Sequence, residues 1–517
     1  MEEFLARYRS LVTGVLSGFD RIVFRGSLQP LLWKYGIQTF LSKVSVRGAE
    51  FKQYALRTSE RVKDAALTEA LQQGRPIRYL PSSTDSKEDL ARAVLAEQPT
   101  EQGIVCAFSV VEPCMSFVFC RPSDANERAL QLRPRKCLHV YQYRIHPRFG
   151  FMNARIQTWF PFNVQVCVNG REWLARRLVE LGVAHRRHDN TLLWVADVAR
   201  AQHLLDDQLD TEWPAVLEQV ARLVNPLHDE IFALWPMSYY WTAYQSEWAT
   251  DLMFRDPAAL ASLYPPLVRH ALLHFRSPDL MRFLARKAHG NFTGPLGTDF
   301  KDRAEALRVK HWANGNSIKM YDKAGSVLRV ETTLGNPNDF LVFRPAHDEP
   351  DGKLAWRPIR KGVADLHRRA QVCQRSNERY LDALSVVDDS TPLATLLDQV
   401  ARPTTWREKR VRALRTGDPA DVALLAAVSR GEFATAGFRN RHIRLLLHPE
   451  TASADRTEVR RIAARVGRQL RLLRAHGLVR KIPKTHRYQL TAKGHALTAA
   501  LSAARSATLQ QLLRQAA

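Results

Sequence analysis

The stretch Leu138-His139-Val140-Tyr141-Gln142-Tyr143-Arg144-Ile145, followed by Asn153 to Trp159 and by Val164-Gln165-Val166-Cys167-Val168, decides the fold class. Aromatic and β-branched residues crowd these runs and alternate with polar ones, the pattern of strands paired in a sheet. Asn169-Gly170 is a turn signal, and Arg171 to Leu181 then takes a helical spacing that Gly182 ends. Helical spacing resumes over residues 196–224. Toward the N-terminus the two signals keep alternating. A helical pattern from Glu3 to Leu16 stops at Gly18, and Arg21-Ile22-Val23-Phe24 reads as a short buried strand closed by Gly26. A long helix is expected from Ala49 to Gln73, a strand at Ile77 to Leu80, and a helix from Glu88 opened by Ser86-Lys87-Glu88-Asp89. Further strands follow at Ile104 to Val111 and Ser116 to Cys120. The class is α+β and multidomain, with a mixed α/β body.

At 517 residues the chain exceeds one compact core, since domains usually run about 100 to 200 residues. Hydrophobic residues at 45% and charged residues at 25% exclude disorder, collagen-like repeats and a disulfide scaffold. No apolar run approaches the ~18 residues that span a bilayer, so a soluble, cytoplasmic protein without a membrane partner is expected. The six cysteines lack the two-residue spacing of zinc knuckles and read as buried, reduced thiols. With 76 Lys+Arg against 52 Asp+Glu the net charge is +24, which points to a polyanionic partner, DNA with RNA as an alternative. From Ala401 onward there are 24 Lys+Arg against 7 Asp+Glu, a net of +17, so most of the excess is a C-terminal property.

That C-terminal segment reads as a short helix over Arg441 to Leu447, a long helix from Arg456 to His476 stopped by Gly477, and a hairpin of Val479 to Ile482 with Arg487 to Thr491. Helix, helix, hairpin is the order of a winged helix-turn-helix. The run Val466-Gly467-Arg468-Gln469-Leu470-Arg471-Leu472-Leu473-Arg474-Ala475-His476-Gly477-Leu478 resembles the recognition helix and wing entry of bacterial winged-helix DNA-binding domains. Arg460, Arg461, Arg465, Arg468, Arg471 and Arg474 on the helix, with Lys481, Lys484 and Arg487 on the wing, are the candidate nucleic-acid contacts. Arginine clamps phosphates and reads guanine edges. The domains then expected are an α/β N-terminal domain (1–135), a β-rich α+β region (136–224), an aromatic-rich helical segment with a tyrosine hairpin (225–385), a linker (386–425) and the winged helix (426–517).

Between Asn225 and Phe254 lie eight aromatics, Phe232, Trp235, Tyr239, Tyr240, Trp241, Tyr244, Trp248 and Phe254. Helical spacing lines up Tyr240, Tyr244, Glu247 and Asp251 on one stripe. Most of the rings suit a core, with Tyr240 and Tyr244 as candidates for stacking on unpaired bases. Glu247 and Asp251 would sit one helical turn apart, where like charges cost stability unless a cation lies between them. Asp20, just before a buried strand, is a candidate to join them in holding Mg²⁺ or Mn²⁺.

The sharpest candidate for chemistry is Asn316-Ser317-Ile318-Lys319-Met320-Tyr321-Asp322-Lys323-Ala324-Gly325-Ser326-Val327-Leu328-Arg329-Val330-Glu331-Thr332-Thr333. It reads as an amphipathic hairpin around a three-residue loop, Lys323-Ala324-Gly325, with Gly325 left-handed. Tyrosine-aspartate-lysine, a short turn and Leu-Arg-Val-Glu are similar to a segment of the replication initiators of rolling-circle plasmids and filamentous phages. That resemblance implies a tyrosine that attacks a DNA phosphodiester, leaving a phosphotyrosine, beside acidic residues that hold a divalent metal. Tyr321 would be the nucleophile, Arg329 and Lys319 would steady phosphate charge, and Glu331 would bind the metal. No His-x-His pair occurs, so the metal motif of the His-hydrophobe-His nickases is missing. The whole chain is also similar to a widespread group of bacterial proteins of comparable length, a likeness that carries no chemistry.

Three readings follow: a mobile-element or plasmid-type enzyme that nicks and rejoins a strand, a non-enzymatic winged-helix regulator, and a metal-dependent nuclease or transposase without a covalent intermediate.

Overall fold

The computed structural model describes the chain except residues 122–128, 276–282, 285–295, 302–306, 347–351, 386–392, 431–432, 434–436, 453–454, 483–484 and 507–517. The strands are β1 (Val12–Ser27), β2 (Ile77–Leu80), β3 (Gly103–Cys120), β4 (Ala129–His146), β5 (Gly150–Gln157), β6 (Val164–Asn169), β7 (His185–His188), β8 (Thr191–Val195), β9 (Tyr240–Phe254) and β10 (Leu296–Lys301). They continue with β11 (Arg308–Ala313), β12 (Asn316–Lys323), β13 (Val327–Leu334), β14 (Leu341–Arg344), β15 (Ala355–Pro358), β16 (Thr404–Trp406), β17 (Lys409–Val411), β18 (Val479–Lys481) and β19 (Tyr488–Leu490). None of the described helices is long and apolar enough to cross a membrane. The chain forms two compact units, each built from separated stretches.

The first unit comprises Gly14–Asp251 and Glu331–Gln374. It is organised on a large mixed sheet in the order β13-β9-β1-β6-β5-β4-β3-β2, in which β2 runs parallel to β3 and the pairs from β3 through β4, β5 and β6 to β1 are antiparallel. The runs read as strands around Leu138, Asn153 and Val164 are β4, β5 and β6. The two short strands expected at Ile104 and Ser116 are one long strand, β3, which carries Pro113. A proline there costs no ladder bond on the far side, because β2 pairs only with Ala107 to Val110. The helix Phe51–Gln72 turns Phe51, Ala55, Thr58, Val62, Ala66 and Ala70 inward at three- and four-residue spacing, the stripe that packs a helix on a sheet.

Two expectations are corrected in this unit. β1 is far longer than the four residues read from sequence, because Val12, Thr13 and Val15 favour a strand where helix was expected, and the helix ends at Tyr8. Gly18 sits inside β1 against the Leu205 side chain, with Cδ2 2.8 Å from where a Cβ would stand. The segment Tyr240–Phe254 is a strand, not a helix. Steps of four fall on one side of a helix and of a strand alike, but the step of three from Tyr244 to Glu247 fits only a helix, so the spacing misled and the dense aromatic and threonine content decided for the strand.

The second unit comprises Met1–Thr13, Leu252–Val330 and Arg375–Ala517. Here β10, β11 and β12 pair antiparallel in sequence order, with Lys310 opposite Lys319 and Val309 opposite Met320. The hairpin turn departs from the expected loop. Ala324 and Gly325 are both left-handed, at φ 54° and 74°, the signature of a type I′ turn, and Lys323 belongs to the strand. Ile318 and Met320 are buried and Lys319 and Tyr321 half-buried, as the alternation implied, but Val327–Val330 is buried on both faces. His311, fully enclosed, bonds Thr298 Oγ1 at 2.8 Å and the Tyr380 hydroxyl at 3.1 Å.

Its C-terminal part has its own core. Ile462, Val466, Leu470 and Leu473 of the helix Arg456–Ala475 pack with Leu424, Val428, Ile443, Leu478 and Leu497. Residues 386–425, read as a linker, include the helix Leu393–Asp398 and the β16–β17 hairpin, and Leu396, Val400, Leu414 and Leu424 share that core. Asp455 caps the long helix, accepting from the Thr457 and Glu458 amides at 2.8 Å. The chain order here is helix Pro419–Val428, helix Asn440–Leu447, helix Arg456–Ala475, then β18 and β19, with Phe438 bridged to Tyr488.

Candidate metal centre

In the first unit β9 lies between β13 and β1. Ser17 Oγ and Thr250 Oγ1 are 3.0 Å apart, and Thr242 Oγ1 donates to the Arg25 carbonyl at 3.2 Å, so β1 and β9 run in opposite senses. Asp20, three residues beyond Ser17, therefore comes level with Glu247, three residues before Thr250. Glu331 arrives from β13. One carboxylate oxygen from each of Asp20, Glu247 and Glu331 lies within 4.8 Å of the others, and all three side chains are buried.

Oxygens held by one Mg²⁺ at about 2.0–2.1 Å lie at most about 4.2 Å apart and those held by one Ca²⁺ at about 2.3–2.6 Å at most about 5.2 Å, so a span of up to 4.8 Å suits a Ca²⁺-sized shell and closes on Mg²⁺ with a small contraction. The donors are all hard carboxylate oxygens, which suit Mg²⁺, Mn²⁺ or Ca²⁺ and not a thiophilic ion. Three ionised carboxylates this close repel one another strongly, and a cation among them removes that repulsion.

Basic and polar groups line the cluster. Arg21 Nη2 reaches Glu247 Oε1 at 3.0 Å. Burial works against the Arg21 charge, yet the Glu247 carboxylate, together with Cys167 and Glu88, outweighs it and holds the guanidinium above its ordinary range. Gln245 Nε2 donates to Glu247 Oε1 at 3.2 Å and Asn190 Nδ2 to Asp20 Oδ1 at 3.3 Å. Arg21 is the partner sequence reading missed, although it stands next to Asp20; Asn190 left no local signal.

The expected pairing of Glu247 with Asp251 around one metal does not occur. On a strand, four residues span ~13 Å, not one helical turn. Asp251 pairs instead with the buried Arg171 at 3.0 Å, and Arg171 Nη2 also donates to the Ala249 carbonyl at 3.0 Å. Lys319, Tyr321 and Arg329 belong to the second unit, where Arg329 is 0% exposed and Tyr321 and Lys319 are half-buried.

Of the candidate nucleic-acid contacts, Arg460, Arg461, Arg465, Arg468, Arg471 and Lys481 are exposed. Arg461 is paired with Glu458 at 2.7 Å. Arg474 is half-buried with its guanidinium over the Trp406 ring, and Arg487 donates to the Gly437 carbonyl at 3.4 Å. Lys484 lies outside the described residues. Comparison with protein-family models, with curated proteins and with solved structures finds no match to the chain.

Proposed function

We propose that the protein is a divalent-metal-dependent enzyme that cuts a nucleic-acid strand at Asp20, Glu247 and Glu331 and holds DNA through a C-terminal winged helix. The observation that carries this is the meeting of three carboxylates from three adjacent strands within 4.8 Å. A bound Mg²⁺ or Mn²⁺ would polarise a phosphoryl oxygen and neutralise charge as it develops. Arg21, already at Glu247, is positioned to add a second positive group beside the phosphate. Nicking and rejoining of the mobile-element or plasmid type is the alternative form, in which Tyr321, a half-buried residue of the second unit, is the nucleophile.

The winged-helix reading is supported by the order of three helices and a hairpin, by the Phe438–Tyr488 bridge that adds a third short strand segment, and by the exposed arginines of Arg456–Ala475. A net of +17 in residues 401–517 fits a phosphate-binding module.

The test is a denaturing gel of end-labelled single-stranded DNA incubated with Mg²⁺ or Mn²⁺. Cleavage is expected, and Glu247→Gln and Asp20→Asn should each lower its rate by at least ~100-fold. A protein–DNA adduct that vanishes in Tyr321→Phe assigns the tyrosine; cleavage with no adduct assigns a water nucleophile. Salt-sensitive binding without cleavage under either metal would leave a non-enzymatic regulator and sink the catalytic reading.

A further inference from the structure

Tyr240 and Tyr244 are 46% and 52% exposed on β9, whereas Trp241, Ala243 and all of Ser246 to Asp251 are enclosed. Two accessible rings four residues apart on a strand lie on the same side, ~13 Å apart. Five of the six other aromatics of this stretch, Phe232, Tyr239, Trp241, Trp248 and Phe254, are buried, whereas these two rings face solvent.

The surroundings are basic. Arg25 is half-buried on β1, close enough to Tyr244 and to the like charge of Arg155 to feel both, and among the described residues it has no carboxylate at ion-pair distance. Arg25 pairs across the sheet with Gln165, and Gln165 with Arg155, in one row over three strands. On the other side of β9 the exposed Lys361 accepts the Ala243 amide through its carbonyl at 2.9 Å, and Gly362 bridges Thr242. Gly362 also lies against Tyr240, the hydroxyl 3.0 Å from where a Cβ would stand. Arg21, on the same face of β1 as Arg25 by the alternation of the β1–β6 register, reaches Glu247. The tyrosine pair therefore lies on the same strand as Glu247, beside a neighbouring strand that carries Arg21 and Arg25 on one face.

We propose that an unpaired nucleic-acid strand crosses this face, with bases stacked on Tyr240 and Tyr244 and phosphates on Arg25 and Lys361. Flat rings offered next to unneutralised cations match a chain that carries a π-face and a negative charge in every unit. A duplex hides its base faces and cannot use the rings. The proposal deepens the strand-cutting reading, on which it rests for the substrate class, by making that substrate single-stranded.

The test uses the full-length protein and a dye-labelled oligothymidylate in EDTA, read by fluorescence anisotropy. Y240A/Y244A should bind it at least ~10-fold more weakly, while Y240F/Y244F, which keeps both rings, should stay within about twofold of the parent. Duplex binding and Mn²⁺ affinity of Y240A/Y244A should be unchanged. Unaltered oligothymidylate affinity in Y240A/Y244A overturns the proposal, and so does an equal loss of duplex binding. D20N/E247Q separates the two readings: loss of Mn²⁺ binding with oligothymidylate affinity retained supports both. Retained Mn²⁺ binding there removes the metal centre and leaves the tyrosine result to decide the strand path.

Discussion

His139 is neutral inside the sheet of the first unit. Burial, and then the adjacent Arg155, push its imidazole down to about 4, against a smaller opposing pull from Glu112. Its Nδ1 lies 3.1 Å from the Cys137 carbonyl, and the ring has little contact with water. In the unfolded chain the same ring takes a proton near pH 6.5, so the folded state binds fewer protons between that value and about 4. Stability is therefore complete above pH 6.5 and falls as the pH drops toward 4, by roughly 2 kcal/mol at pH 5 relative to pH 8 for this residue. Urea unfolding at both pH values checks it: His139→Gln should lose less stability on acidification than the parent. An identical loss in both would assign acid sensitivity elsewhere. The metal-site residues Asp20, Glu247 and Glu331 were legible one at a time as carboxylates beside apolar patterns: Asp20 before a buried strand, Glu331 on the hairpin and Glu247 on a stripe read as helix. Asp251 looked the same by that criterion, and only the position of Arg171, on a distant helix, decided that it became an ion pair.

At the scale of elements, strands were legible where alternation was strong and boundaries were not. β4, β5 and β6 follow from their aromatic and β-branched content, whereas β9 was misread because the 4-3-4 spacing of Tyr240, Tyr244, Glu247 and Asp251 imitates a helical stripe. The long helix Arg456–Ala475 was legible because its apolar stripe and its arginines separate cleanly around the axis. Arg465, Arg468 and Arg471 are exposed, whereas Arg461 is already bonded to Glu458 at 2.7 Å. If this helix carries phosphate contacts, R465Q/R468Q/R471Q should reduce the slope of log K against log salt for duplex DNA by about 2 to 3. Arg461→Gln should reduce it by less than 1 unit, roughly, because Glu458 neutralises that charge before DNA arrives. A salt titration monitored by anisotropy measures both slopes, and equal slopes for the triple variant and the parent would move the DNA contacts off this helix.

For the molecule as a whole, the two units are not successive domains. The first is assembled from Gly14–Asp251 and Glu331–Gln374, so its metal centre needs Glu331 from the second of these stretches. No local sequence pattern announces such an arrangement, because pairing between segments far apart in the chain depends on the sheet order. It also means that a bound cation ties three strands of the first unit together, and that its binding energy adds to the stability of that unit. At a free concentration 100 times the dissociation constant the gain is about 2.7 kcal/mol, which is a ~100-fold slower opening of whatever must open to release the ion. Hydrogen exchange followed by mass spectrometry should therefore show Mn²⁺-dependent protection of the peptides that contain Asp20, Glu247 and Glu331. Glu331→Gln should abolish that protection in all three peptides at once, since a shell built from three strands fails as a unit. Protection that survives in the Asp20 and Glu247 peptides of Glu331→Gln would mean that two carboxylates suffice and that Glu331 is a bystander, whereas protection absent from the parent would remove the cation from the site.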